Sequence, residues 1–173
     1  MINISKLKVI AHRGLLNGPS SEKENNIKII LSNIKEYPNI INELDIWIDS
    51  EEIYVGHDYK KKIIEPKILY ENSKNLILHI KGIKLISEKS LNLFNNVLNN
   101  CHYFTHQEDD FVITNRGWIW SHPRNGFVKN TICVLPEEIE SIDLAIKKNK
   151  FKNLHGICTD YPLKMLNLFE KSK

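Results

Sequence analysis

The stretch Ile41-Asn42-Glu43-Leu44-Asp45-Ile46-Trp47-Ile48 reads as a β-strand with two unlike faces. Strand side chains alternate, so Leu44 and Ile46 share one face and Glu43 and Asp45 share the other. The apolar pair predicts a face packed against helices. The two carboxylates either decorate an exposed edge or converge like metal ligands from the inside of a β/α fold. An E-x-D pair in isolation favours the exposed edge, so its surroundings decide the matter.

Outward from this strand, short apolar runs alternate with longer amphipathic ones. Towards the N-terminus, Leu7 to Ala11 predicts the first strand. Asn25 to Tyr37 predicts a helix, with Ile27, Ile30, Leu31 and Ile34 at helical spacing and Pro38 as its stop. Towards the C-terminus, Ile53-Tyr54-Val55 after Ser50-Glu51-Glu52 predicts a hairpin that carries Gly56-His57-Asp58 back to the strand end. Further strands are predicted at Leu76 to Ile80, Tyr103 to Thr105, Trp118 to Trp120, Thr131 to Leu135 and His155 to Thr159. Helices are predicted over Ser87 to Asn99, Ile139 to Lys150 and Leu163 to Glu170. This is an α/β pattern in one domain over residues 1–173, with about seven principal strands against the eight of a full TIM (β/α) barrel. The expected fold is therefore a compact, trimmed or distorted TIM barrel.

Composition narrows the function classes. A formal charge of +3 from 24 basic and 21 acidic residues is too mild for nucleic-acid binding and is compatible with a small anionic substrate. The Lys60-Lys61-Lys62 run reads as a solvated turn. Cys101, Cys133 and Cys158 lie in or beside apolar runs without metal-type spacing and read as buried free thiols. No stretch reaches bilayer length and no leader pattern is present, which makes a cytoplasmic protein without a transmembrane segment the expectation.

In parallel β/α folds, reactive side chains gather where strands end. Here those positions carry His12-Arg13, Glu43 and Asp45, His57-Asp58, His79 and Lys81, His106-Gln107-Glu108, His122, and Thr159-Asp160. An imidazole moves protons near neutral pH, and a guanidinium grips a phosphoryl group through two N–H donors. Cleavage of a phosphodiester needs one group to deprotonate the nucleophile and one to protonate the leaving alkoxide. It also needs a cation against the developing charge. Two histidines and a carboxylate pair meet those needs.

The ordered motifs Ala11-His12-Arg13-Gly14, Glu24-Asn25, Glu43-x-Asp45, Gly56-His57-Asp58 and Gly156-Ile157-Cys158-Thr159-Asp160-Tyr161-Pro162 resemble the glycerophosphodiester phosphodiesterases. These belong with phosphatidylinositol-specific phospholipase C among TIM-barrel phosphodiesterases. The match is strongest over the first 60 and last 20 residues. The resemblance implies that His12 and His57 are the acid and base and that Arg13 and Lys81 hold the substrate phosphate. It further implies that Glu43 and Asp45 bind a divalent cation, Mg, Ca or Mn before Zn, with Glu24 and His79 as lesser members of the metal shell. The expected partner is a small phosphodiester; nucleic acid is not expected.

One departure stands out. The family's E-x-K motif, which supplies a third metal carboxylate, is His79-Ile80-Lys81 here. As a ligand, His79 would tilt metal preference towards manganese or zinc; otherwise it is a satisfied interior histidine, and the third position falls to Glu108 or water. Two alternatives follow. One is a metal-independent, phospholipase C-like site in which Arg13 replaces the cation and Asp58 orients a histidine. The other is a protein that binds a phosphate ligand without turnover. His106 and Trp120 read as substrate-mouth residues or, otherwise, as a strand-end structural residue and core packing respectively, and His102, His122 and His155 are expected to play no catalytic part.

Overall fold

The computed structural model describes residues 7–49, 52–82, 87–106 and 109–171. Its strands are β1 (Lys8–Ala11), β2 (Ile40–Asp49), β3 (Glu52–Val55), β4 (Lys62–Ile64), β5 (Leu76–Lys81), β6 (Tyr103–Phe104), β7 (Phe111–Ile113), β8 (Ile119–Ser121), β9 (Thr131–Val134) and β10 (Gly156–Thr159). The helices are α1 (Ile27–Glu36), α2 (Pro66–Glu71), α3 (Leu91–Asn100), α4 (Ile142–Lys147) and α5 (Pro162–Lys171). All ten strands join one mixed sheet, so the fold is α/β.

Its backbone is the parallel run β6-β5-β2-β1-β10-β9-β8, in which the first and last strands of the chain are neighbours. The long strand β2 serves two partners on one edge: β1 along residues 40–42, then the antiparallel β3 along residues 46–49. β4 extends that hairpin, and β7 pairs antiparallel with β8. The ladder is not closed between β6 and β7 among the described residues. Asn115 spans that gap: its backbone N–H donates to Tyr103 O at 3.0 Å, and its side chain accepts from Tyr103 N at 2.9 Å.

Alternation sorts the core into layers. Leu44 and Ile46 of β2, with Leu78 and Ile80 of β5, are buried against Ile27 and Ile30 of α1, Leu69 of α2 and Val97 of α3. The opposite faces contribute Ile10, Ile77, Phe104, Trp120, Ile132, Val134 and Cys158 to a single inner cluster drawn from six strands. Each such buried side chain contributes roughly 1.5–3 kcal/mol of transfer free energy, which makes register costly to slip. A third cluster seats α4 and α5 on Ile157.

Four elements depart from expectation for local reasons. The helix expected over Ile139 to Lys150 shrinks to α4, because Ser141 accepts from Leu144 N and opens a new helix there, while Asn149 at φ 56° ends it. The short elements β4, α2 and β7 were too brief to carry a periodic signal. Among the described residues no helix is long and apolar enough to cross a membrane.

Candidate active site and metal centre

Leaving β1, the chain turns sharply at His12–Gly14, with Arg13 at φ 50° and Gly14 at φ 71°. A Cβ at Gly14 would lie 2.3 Å from Ile30 Cγ1, so only glycine lets the turn sit on α1. The left-handed backbone at Arg13 is stabilised by its own N–H, which donates to Glu43 Oε2 at 2.7 Å. Asn25, also left-handed, donates to Asp45 Oδ2 at 2.8 Å and accepts from Asp45 N at 2.9 Å. The Asn25 side chain thus ties the β1–α1 loop to the carboxylate strand.

These bonds leave one oxygen on each carboxylate. Glu43 Oε1 and Asp45 Oδ1 are the oxygens nearest His79, whose Nδ1 stands 3.9 Å from the first and 3.0 Å from the second. Parallel pairing explains the meeting, because Asp45 is registered opposite His79. Glu43, Asp45 and His79 each offer a ligand atom, and those atoms lie within 4.8 Å of one another. All three residues are buried. Asp45 Oδ1 and His79 Nε2 are buried without a hydrogen-bond partner, and His79 Nδ1 lies 3.0 Å from Asp45 Oδ1. Unpaired buried polar atoms are expensive, and a cation among them would satisfy the carboxylate.

Protonation suits the same role. Burial pushes the Asp45 carboxyl up, but the adjacent His79, Asn25 and Lys81 outweigh it and hold it below the ordinary range. Burial, opposed by Asp45, holds the His79 imidazole below its usual value and therefore neutral. Burial and the neighbouring Asp45 charge push the Glu43 carboxyl up. An ionised carboxylate and a neutral imidazole are the forms that bind metal.

Both histidines of the expected acid–base pair have carboxylate partners. His12 Nδ1 donates to Asp160 Oδ1 at 2.8 Å, and His57 Nδ1 to Asp58 Oδ1 at 2.6 Å. Burial works against the His12 imidazolium, yet Asp160 and Glu43 raise its pKa overall. Asp160 is itself held by its N–H to Glu137 Oε1 at 2.9 Å, and Thr159 Oγ1 donates to the same carboxylate. His57 is returned by the hairpin: Gly56 N–H donates to Asp45 O at 3.2 Å, and Trp47 Nε1 donates to Gly56 O at 2.7 Å.

His12, Arg13, Glu43, Asp45, His57, His79 and Lys81 line one cavity of about 340 Å³. Glu24 stands apart from the carboxylate–histidine cluster, accepting from Arg13 Nη1 at 2.8 Å and from Lys61 Nζ at 3.0 Å. Lys61, read from sequence as solvated, is therefore part of the Arg13 support. Glu108 lies outside the described residues. Trp120 serves as both core and wall, stacking on Phe104 at 4.4 Å and reaching the cavity, and His106 lines the cavity beside His79. His122 also reaches the wall while capping Arg124 N. His102 bonds Thr114 Oγ1 at 2.9 Å, and His155 packs on Trp118.

Sequence reading treated Thr159-Asp160 as a strand end and missed Asp160 as the partner of His12. The available signal was its place after the last apolar strand; the pairing of that strand with β1 was the missing fact. No family model, curated protein or solved structure matches this chain. The resemblance to phosphodiesterases therefore rests on the sequence motifs alone.

Proposed function

We propose that this protein is a metal-dependent phosphodiesterase of the glycerophosphodiester phosphodiesterase type, acting on a small phosphodiester from the mouth of a compact β/α barrel. The observation that carries the proposal is convergence: residues within β2 and β5 and just after β1 and β3 meet in one cavity in the combination that phosphodiester hydrolysis requires. The barrel part is supported by the adjacency of β1 and β10, by the single inner cluster and by Asn115 spanning the remaining gap.

In this reading Arg13 and Lys81 bind the phosphate. Glu24 holds one arm of the Arg13 guanidinium at 2.8 Å and so fixes its direction. His12 and His57 have their Nδ1 atoms engaged by carboxylates, which leaves Nε2 of each for proton exchange. One removes the proton of the nucleophile, a water or a neighbouring substrate hydroxyl, and the other protonates the departing alkoxide. Asp160 stabilises the imidazolium form of His12 by its hydrogen bond. Glu43, Asp45 and His79 would hold a divalent cation, whose charge offsets that developing on the phosphoryl oxygens.

The close His57–Asp58 contact also suits the metal-independent alternative, in which Arg13 stands in for the cation. Hydrolysis of bis(p-nitrophenyl) phosphate and of glycerophosphodiesters, with Mg, Mn, Ca or Zn added singly and with chelator, separates the readings. We expect turnover that chelator abolishes and that a Glu43→Gln, Asp45→Asn variant lacks. Turnover that survives chelator would favour the metal-independent site. Phosphate-ligand binding by folded protein without turnover under any ion would leave a binding protein.

A further inference from the structure

Within the metal cluster, three features bear on which ion it takes. First, the free carboxylate oxygens lie near His79 Nδ1, because Arg13 N and Asn25 Nδ2 occupy the other two oxygens, and one ligand atom from each of the three residues lies within 4.8 Å of the others. For bonds of about 2.1 Å, neighbouring ligand atoms stand about 3.0 Å apart in an octahedron and about 3.4 Å in a tetrahedron. The 3.0 and 3.9 Å separations from Nδ1 need only a small contraction. Secondly, the imidazole is held in plane: its ring lies 4.6 Å from Phe104 at 16° and 4.6 Å from His106 at 7°. Thirdly, His79 is 6% exposed and Asp45 1% exposed, and Asp45 Oδ1, the oxygen facing His79 Nδ1, is buried without a hydrogen-bond partner.

Hard cations prefer oxygen. Mg²⁺ demands near-octahedral oxygen ligands and sheds water reluctantly, and Ca²⁺ takes six or more oxygens. An imidazole donor favours later first-row ions. We infer that the Glu43, Asp45 and His79 site selects a borderline transition ion of the Mn²⁺ to Zn²⁺ class over Mg²⁺ and Ca²⁺, with His79 Nδ1 as its nitrogen ligand. The inference rests on the metal-holding part of the proposed function and is independent of the reaction catalysed.

The test uses the full chain stripped of metal, titrated calorimetrically with Mn²⁺, Zn²⁺, Mg²⁺ and Ca²⁺ in turn, with electron spin echo spectra of the Mn²⁺-loaded protein. Mn²⁺ should bind one site at least about tenfold more tightly than Mg²⁺ or Ca²⁺, and its spectrum should carry a nitrogen coupling. Zn²⁺ should show the same preference at a site that Glu43→Gln weakens. Folded His79→Glu should lose the nitrogen coupling and narrow the ratio, and His79→Gln should lose the coupling as well. Equal affinity for Mg²⁺ and Mn²⁺, a nitrogen coupling that survives both substitutions, or no binding to folded protein would each overturn the inference. Selective Mn²⁺ binding without phosphodiester turnover would instead defeat the proposed function and leave this site standing.

Discussion

The two walls of the cavity are built on different plans. The wall formed by β1, β2, the hairpin and β5 is polar and over-determined: Glu43, Asp45 and His12 each contact a partner from another strand or loop. The facing wall from β6 to β9 is short-stranded and more apolar, with Phe104, Trp120, Val134 and Leu135 reaching the cavity beside His106, Asp109 and His122. No α-helix is assigned between β6 and β9 among the described residues, and Phe111 and Ile113 of β7 are exposed. One wall organises charge, and the other supplies most of the apolar packing around the cavity. In such a site, hydrogen bonds and ion pairs are stronger than in water.

Substitutions on the two walls should therefore fail in different ways. On the polar wall, His12→Gln should lower phosphodiesterase turnover by about 10²- to 10⁴-fold while leaving the thermal midpoint little changed; a variant retaining full turnover would remove His12 from the chemistry. On the apolar wall, Trp120→Ala should cost about 3–5 kcal/mol in denaturant unfolding, because the ring is 6% exposed and stacks on Phe104. A cost under about 1 kcal/mol would show that the wall is not packed as described.

Gly14→Ala tests the junction where the polar wall rests on α1. The added methyl meets Ile30 Cγ1 at 2.3 Å and the backbone sits at φ 71°, so we expect a loss of about 1–3 kcal/mol, read by chemical denaturation. The smallest effect is pH-dependent. The folded pKa of His12 is raised by Asp160 and Glu43 against burial, so this coupling is fully stabilising below the unfolded value of about 6.5. It is lost as pH rises through the folded value. The stability difference between wild type and Asp160→Asn should be larger at acid than at alkaline pH, and a difference that grows with pH would refute the pairing.

Much of the polar wall was legible because its signals are local. Alternation along β2 separates Glu43 and Asp45 from Leu44 and Ile46 without knowledge of any neighbour, but all four are buried, so burial of the carboxylate face comes from the tertiary structure. Helix α1 was readable from its spacing, with Asn26 accepting from Lys28 N as its cap. On the facing wall β6, β8 and β9 were legible as strands, and β7 was missed because its three residues are too few for a period to repeat. Glu24 shows the same limit inside the site: the Glu24-Asn25 motif points to the pocket, yet which residue serves the carboxylates and which serves Arg13 depends on the fold of the loop.

By itself the sequence determined which side chains stand at strand ends and which share a face, because strand periodicity and turn chemistry act over a few residues. Tertiary structure alone decided that β10 lies beside β1, that Asp160 therefore meets His12, and that His79 is registered opposite Asp45. Those contacts join positions 148 and 34 residues apart. The burial of apolar faces in common layers selects that strand order and register, and no local propensity encodes it.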